Sequence, residues 1–445
     1  MKFGDRMTGN VTGYDDKGRG VFDTIVVPFA CAGDTITGTF MKRDKGKKIV
    51  RLEEVVSPGP DRVAAPCPHA GTCGGCLWQH IAYDAQVRLK RDMVNAAFEH
   101  AGHEERVGDI VPCATTFHYR NRMDYAVGWQ GTLGLKEYGS WNRYVDLSTC
   151  LLLDEETPAI LDAVRGLMRD LKLEPWDARD HHGLMRYLVI RDGKNTGQRM
   201  ITLVVSDASR IDEPSRNAIT DRLSPLCTTL LIGEQPAVTD ISTVQRVESL
   251  KGDPWIEEDV NGVRYRIAPN SFFQTNTVMA AKLQETVLGF ISDVPQRSVL
   301  DLYCGLGFFG IALAKRDPAI RVSGFEIDAE AIGLATLNAD NNGVADRCSF
   351  TSGPAEDLSW KDVDADVVIL DPPRSGLHPR VIKTLMERKP ATIVYVSCNF
   401  HRLVEELKEF KKAYRVVSVA ALDLFPHTPH VEVVAKLVRN RPFGI

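Results

Sequence analysis

From residue 256 onward the chain alternates apolar strand-like runs with helix-like runs, and this rhythm constrains the fold more than any other feature. "SVLDLYCG" precedes "FFGIALAKR", and "RVSGFEID" precedes "AEAIGLATLNADNNG". After the run "CSFTSG", "ADVVILDPP" precedes "PRVIKTLMERK" and "ATIVYVSCN" precedes "HRLVEELKEFKKA". Strands that are apolar on both faces and separated by helices predict a parallel sheet covered on both sides. In such α/β sheets, ligands bind beyond the carboxyl ends of the strands.

The residues that end those strands are therefore the first candidates for function. "LDLYCGLGFFG" puts Asp301, Gly305 and Gly307 at the first strand–helix turn, where small residues let a ligand approach the backbone. The next strand ends in Glu326, a position from which a carboxylate can accept both hydroxyls of a ribose. "LDPPRSG" follows with Asp371, and its two prolines hold an extended turn that lacks two backbone donors. Glycine turn, ribose carboxylate and D-P-P turn, in this order, fit an S-adenosylmethionine-dependent methyltransferase better than a dehydrogenase, although Gly310 completes the Gly-x-Gly-x-x-Gly series of a dehydrogenase and spacing alone leaves both open. "VYVSCNF" ends another strand in Cys398, which on its own is either a space-filling thiol or a nucleophile at the open end of the sheet.

The earlier part of the chain reads differently. Residues 1–57 alternate apolar and polar residues between Gly and Asp turn signals, which predicts a small OB-like β-barrel of a kind used to grip RNA. Within it, "MKRDKGKKIVR" gathers Lys42, Arg43, Lys45, Lys47, Lys48 and Arg51, either a solvated hairpin tip or a phosphate-contacting edge. Residues 58–255 open on a proline linker and a cysteine knot, "CPHAGTCGGC", and continue as a central α+β domain. Cys67, Cys73 and Cys76 need one distant partner to complete four ligands, and the pattern by itself leaves zinc and iron–sulfur open. His69 and Cys113 are spare ligand candidates. "FHYRNRMDYAVGW" reads as a strand whose Phe117, Tyr119, Arg120, Asn121 and Arg122 either pack or grip unpaired RNA. Residues 256–445 form the α/β unit. The net charge of −5 neither suggests nor excludes nucleic acid, because binding depends on local patches. No apolar run reaches membrane-span length and no signal-peptide core opens the chain, so a cytoplasmic monomer with no membrane partner is expected, its ten cysteines serving as thiols, ligands or catalysts rather than disulfides.

Together, "SFFQTN", "DLYCGLG", "DPPRSGL", "VSCN" and "HVE" resemble the RNA uracil-5-methyltransferase family over nearly the whole chain. The resemblance implies a C-terminal Rossmann-like class I methyltransferase domain behind an N-terminal TRAM barrel. It also implies methylation of carbon 5 of a uridine, with 23S rRNA favoured because barrel and cysteine cluster occur together, and tRNA as the alternative. Gln274, Tyr303, Glu326 and Asp371 would then bind S-adenosylmethionine, Cys398 would be the nucleophile and Glu432 the general base. Cys150 would join Cys67, Cys73 and Cys76 around a [4Fe–4S] cluster. Three positions depart from many relatives: Phe308 stands for Asn, Phe400 for the Pro of "SCNP", and His427 for the Gln of "PQTxHVE". Two rival classes are an amino-group RNA methyltransferase, which needs no nucleophile, and an inactive RNA-binding factor.

Overall fold

The computed structural model describes residues 2–292 and 298–440. Its C-terminal sheet has eight strands, in the spatial order Cys348–Ser352, Arg321–Glu326, Ser298–Leu302, Val367–Leu370, Thr392–Ser397, Glu432–Arg439, Tyr414–Leu422 and Ile110–Val111. The first five run parallel, as the strand–helix alternation predicts, and Glu432–Arg439 inserts antiparallel beside Thr392–Ser397. The chain leaves Ser298–Leu302 toward one edge and later returns to its other side with Val367–Leu370. This reversal opens a crevice at the carboxyl ends of those two strands.

Local chemistry sets where the helices around this sheet begin. Asn276 caps Thr277–Ile291 by accepting from Met279 N–H, and Asp328 caps Ala329–Asn341 by accepting from Glu330 N–H. Asn399 caps Phe400–Phe410 through Arg402 N–H. Phe308–Arg316 instead starts at Gly307, held in the left-handed region at φ 78°, where a β-carbon would run into Ile311.

Ahead of this unit stand two further sheets. Six strands between Arg6 and Ser57 enclose a core that includes Phe22, Ile36, Phe40 and Val50. Seven strands between Arg122 and Lys251 pack against the helices Thr157–Asp170 and Glu213–Leu223. All are antiparallel neighbours except Gln198–Val205 with Thr229–Glu234.

Residues 83–111, grouped by sequence with the central segment, pack on the C-terminal sheet. The helix Tyr83–His100 buries Val94 and Phe98 in the same core as Leu403, Leu407 and Tyr395. Ile110–Val111 extends that sheet by pairing parallel with Ala421–Leu422. Between these elements lies the ion pair Lys90–Asp423, 2.5 Å apart with both side chains fully buried. Breaking such a pair by removing one partner costs about 3–5 kcal/mol, because the remaining charge stays buried.

Candidate active site

At the crevice, Tyr303 sits at φ 66°, uncommon for a residue other than glycine, and its N–H donates to Phe325 O at 2.8 Å. The turn thus bends sharply back toward the neighbouring strand. Glu326 at that strand's end accepts from Gly305 N–H at 3.3 Å and from Ile327 N–H at 2.8 Å, which fixes the carboxylate facing the glycine turn. Beneath it Asp301 is fully buried, accepts from Gly310 N–H at 3.1 Å, and is pushed up to about 8 by burial. A mostly protonated Asp301 is therefore a brace for the turn rather than a charge offered to a ligand. Gln274 is buried in the stretch that bridges the turn and the last hairpin. Its carbonyl accepts from Asn121 Nδ2 at 2.9 Å, and nearby Asn276 Nδ2 donates to Leu424 O at 3.1 Å.

Sheet register decides the next feature. Ser397 pairs with Val433 across antiparallel strands, so one step toward the rim stand Cys398 on one strand and Glu432 on the other. Residues far apart in sequence become neighbours at the carboxyl ends of the parallel strands. Asp371 closes the group from the next strand over. Burial pushes the Cys398 thiol up to about 11, the Glu432 and Asp371 charges add to this, and Arg374 opposes it. Burial, with the Asp371 charge, also raises Glu432 well above the carboxylate range. Asp371 rises to about 7 through burial and the charge of Glu326. Such crowding leaves part of the acidic group protonated near neutral pH, so the free site holds a thiol rather than a preformed thiolate.

The D-P-P loop is held by residues that carry no motif. Glu406 is buried, accepts from Leu377 N–H at 3.0 Å, and accepts a second hydrogen bond from the Tyr395 hydroxyl. Gly376, at φ 82°, lies against the same carboxylate, and any β-carbon there would collide with it. Asn399 Nδ2 donates to Arg374 O at 3.0 Å, tying the loop to the cysteine strand. Arg374 has only donors, so its contact with His430 Nδ1 at 3.1 Å makes that nitrogen an acceptor. His430 is pushed down to about 4, by burial first and by Arg374 next, and is neutral.

The three departures find places. Phe308 is buried in an aromatic cluster with Tyr265, Phe273 and Phe309. Phe400 is the first residue of its helix and is buried, a position where a missing donor or a present one matters equally little. His427 stacks on Phe117 with centroids 4.3 Å apart. Of the two readings left open for "FHYRNRMDYAVGW", packing is the one that holds for Tyr119 and Asn121. Tyr119 is buried with its hydroxyl on Pro426 O, and Asn121 is buried against the stretch that carries Gln274.

Away from the crevice, Cys67, Cys73, Cys76 and Cys150 line one cavity, shared with His69, Gln79 and Leu152. Burial pushes Cys73 up to about 11 and Cys76 to about 12. Among the described residues, no three His, Cys, Asp or Glu side chains converge as a single-ion site. Cys113 lies elsewhere, its thiol donating to Thr115 O at 3.0 Å and accepting from Asn276 Nδ2 at 3.4 Å.

Sequence reading missed Glu406, Gln86, Lys90 and Asp423. A signal for two of them existed. Gln86, Lys90, Val94 and Phe98 recur every four residues, which puts two polar side chains on the helix stripe that Val94 and Phe98 mark as buried.

Residues 255–440 match the profile of the tRNA (uracil-5-)-methyltransferase family. Over 97% of its length the chain is 35% identical to all of a Pyrococcus horikoshii protein named tRNA (uracil(54)-C(5))-methyltransferase. The chain belongs to the RNA uracil-5-methyltransferase family. A second P. horikoshii family member, named 23S rRNA (uracil(747)-C(5))-methyltransferase, is 32% identical over 98% of this chain and all of its own. Among solved structures, the Pyrococcus abyssi tRNA (uracil-54, C5)-methyltransferase in complex with S-adenosyl-L-homocysteine superimposes with a TM-score of 0.82 at 33% identity, covering 97% of this chain and all of that one. The α/β methyltransferase fold expected for this family is the one observed.

Proposed function

We propose that this protein methylates carbon 5 of a uridine in RNA, with Cys398 as nucleophile and Glu432 as general base. The observation that carries the reading is the register that sets these two side chains beside each other at the rim, next to Asp371. Carbon 5 of uracil is too weak a nucleophile to be alkylated unaided. When Cys398 loses its proton and its sulfur bonds to carbon 6, the ring becomes an enolate with negative charge at carbon 5. S-adenosylmethionine, when bound, supplies the electrophilic methyl group. Glu432 as carboxylate then takes the proton from carbon 5. The sulfur–carbon 6 bond breaks, carbon 5=carbon 6 reforms, and the thiol is free again. The net change is one C–H replaced by C–CH3 and one proton released. Neither the amino-group rival nor the inactive factor accounts for a thiol and a carboxylate meeting at this rim.

For the methyl donor, Glu326 faces the glycine turn as a ribose acceptor would, Asp371 and the D-P-P carbonyls suit a flat polar group, and Tyr303 and Gln274 flank the crevice. The six strands at 6–57 would serve as the TRAM barrel, with Lys42, Arg43 and Lys45 exposed on its hairpin as phosphate contacts. The target base must be unpaired or flipped to reach the rim. Both catalytic groups come from one chain, consistent with a monomer.

The four cysteines fit a [4Fe–4S] cluster. The four thiols line one shared cavity, and the donor set is all cysteine, which suits such a cluster, as the family resemblance implies. A cluster takes four cysteines, here Cys67, Cys73, Cys76 and Cys150. It would supply cohesion between segments rather than chemistry, since methyl transfer moves no net electrons.

Large-subunit rRNA is one substrate reading. The tRNA reading gains from the P. abyssi neighbour, which shares the whole architecture, so barrel plus cysteine segment does not select rRNA. Two experiments test these readings. RNA carrying 5-fluorouridine should form a denaturant-resistant adduct with the wild type and none with Cys398→Ala; normal turnover without any adduct would sink the mechanism. Mapping 5-methyluridine in tRNA and rRNA from deletion cells names the substrate, and persistence of every site would sink the assignment.

A further inference from the structure

Glu432 follows a loop, residues 423–431, that is gripped from outside the methyltransferase unit. Gln86, fully buried on the helix Tyr83–His100, accepts from His427 N–H at 2.8 Å. Its Nε2 lies 3.1 Å from His427 Nδ1, 3.0 Å from Trp78 O and 2.8 Å from Ile81 O. A carboxamide nitrogen only donates, so His427 Nδ1 is an acceptor and its ring is neutral; burial pushes its pKa down to about 4. Leu77 and Trp78, the two residues after Cys76, donate their N–H groups to His427 O at 3.0 and 2.9 Å. Lys90 reaches Phe425 O at 3.0 Å as well as Asp423, and the Tyr119 hydroxyl reaches Pro426 O at 3.2 Å. From the N-terminal sheet, Gly18 O accepts from Trp78 Nε1 at 2.6 Å.

We propose that Gln86 and His427 form a positioning lock that fixes the loop ahead of Glu432 for proton removal, and that this lock ties the base to the cysteine segment. The loop's own bonds are short-range, Phe425 N–H to Asp423 and the Thr428 hydroxyl to Phe425 O, while Asn276 and Arg374 hold its two ends at Leu424 and His430; between them, the backbone of residues 425–427 is held by residues 77–90 and 119. Loosening it shifts Glu432 relative to carbon 5 while leaving Cys398, which sits on a different strand, in place. The proposal rests on the reading of Glu432 as the base.

Removal of the carbon-5 proton comes after methyl transfer and is needed to release the sulfur, so a misplaced base has a signature of its own: methylated RNA stays attached to Cys398. The test uses full-length protein, labelled S-adenosylmethionine, and transcripts of tRNA and 23S rRNA made with uridine or 5-fluorouridine. Gln86→Ala and His427→Leu should lower kcat by about 10–100-fold, the scale of a misplacement near 1 Å, with KM for the methyl donor unchanged. On uridine RNA both should accumulate labelled, denaturant-resistant adduct, as Glu432→Gln should. On fluorouridine RNA, where no removable proton exists, adduct should form at the wild-type rate, which also shows the variants are folded. His427→Gln keeps an acceptor for Gln86 and should recover most of the turnover. If Gln86→Ala fails to fold, the pair His427→Leu and His427→Gln carries the test. Loss of kcat without labelled adduct on uridine RNA, or no loss at all, overturns the lock while Glu432→Gln still accumulates adduct. If Glu432→Gln accumulates none, the base reading fails and the lock falls with it.

Discussion

The rim and the cysteine cavity both hold thiols that burial raises far above their ordinary range, yet their neighbours differ. Around Cys398 stand two carboxylates and one arginine. Around Cys76 stand other thiols, Gln79 and Arg120. A thiol among carboxylates holds its proton until a substrate changes the balance, which suits a nucleophile that bonds transiently. Thiols facing one another across a cavity gain nothing by ionising unless a positive group enters between them, which suits permanent ligation.

The comparison breaks most easily at Cys398. Cys398→Ala should cost about 10⁴-fold or more in turnover, measured by labelled methyl incorporation, with the thermal midpoint unchanged. An equal loss of activity from a cavity cysteine, with the fold intact, would erase the distinction between the two sites. On the proposed cluster ligation, Cys76→Ser should instead reduce stability by about 3 kcal/mol, in the class of metal-site losses, and leave anaerobically prepared protein without the iron and visible absorption expected of the wild type. A colourless wild type with one stoichiometric zinc would reverse the cluster assignment.

Glu406→Gln sharpens the rim side, because it removes a buried charge that holds the D-P-P loop through Leu377 and Tyr395. A loss of about 1–3 kcal/mol in urea unfolding is expected. The smallest effect is electrostatic. Arg374 is the cation that opposes the rise of the Cys398 thiol, so Arg374→Ala should slow adduct formation by about 3–10-fold near neutral pH. A thiol raised to about 11 is mostly protonated at neutral pH, so adduct formation should climb with pH in both proteins, with the variant trailing. A flat profile would mean that the thiol is already ionised.

Much of this was legible in the chain. The parallel sheet announced itself because its strands are buried on both faces and cannot alternate. Glu326 and Asp371 were findable as candidates because strand ends in such sheets border the crevice where ligands bind. What stayed hidden was polar and long-range. Gln86 and Lys90 look like surface residues of a charged helix, and only the packing of that helix on a sheet formed 200 and more residues later buries them. For Tyr119 and Asn121 the choice between packing and RNA contact stayed open for the converse reason: an aromatic and basic stretch has the same composition whether it faces solvent or a neighbouring loop.

The sequence by itself determined the α/β class, the family and the identities of the nucleophile and base candidates, because strand periodicity and short motifs are local properties. Only the tertiary structure decided that Cys398 and Glu432 meet, since a single residue of slip in the antiparallel pairing would turn Glu432 to the other face. It alone also decided that the loop before Glu432 is held by a helix from the first quarter of the chain, because burial of a polar side chain depends on what packs over it and not on its neighbours in sequence.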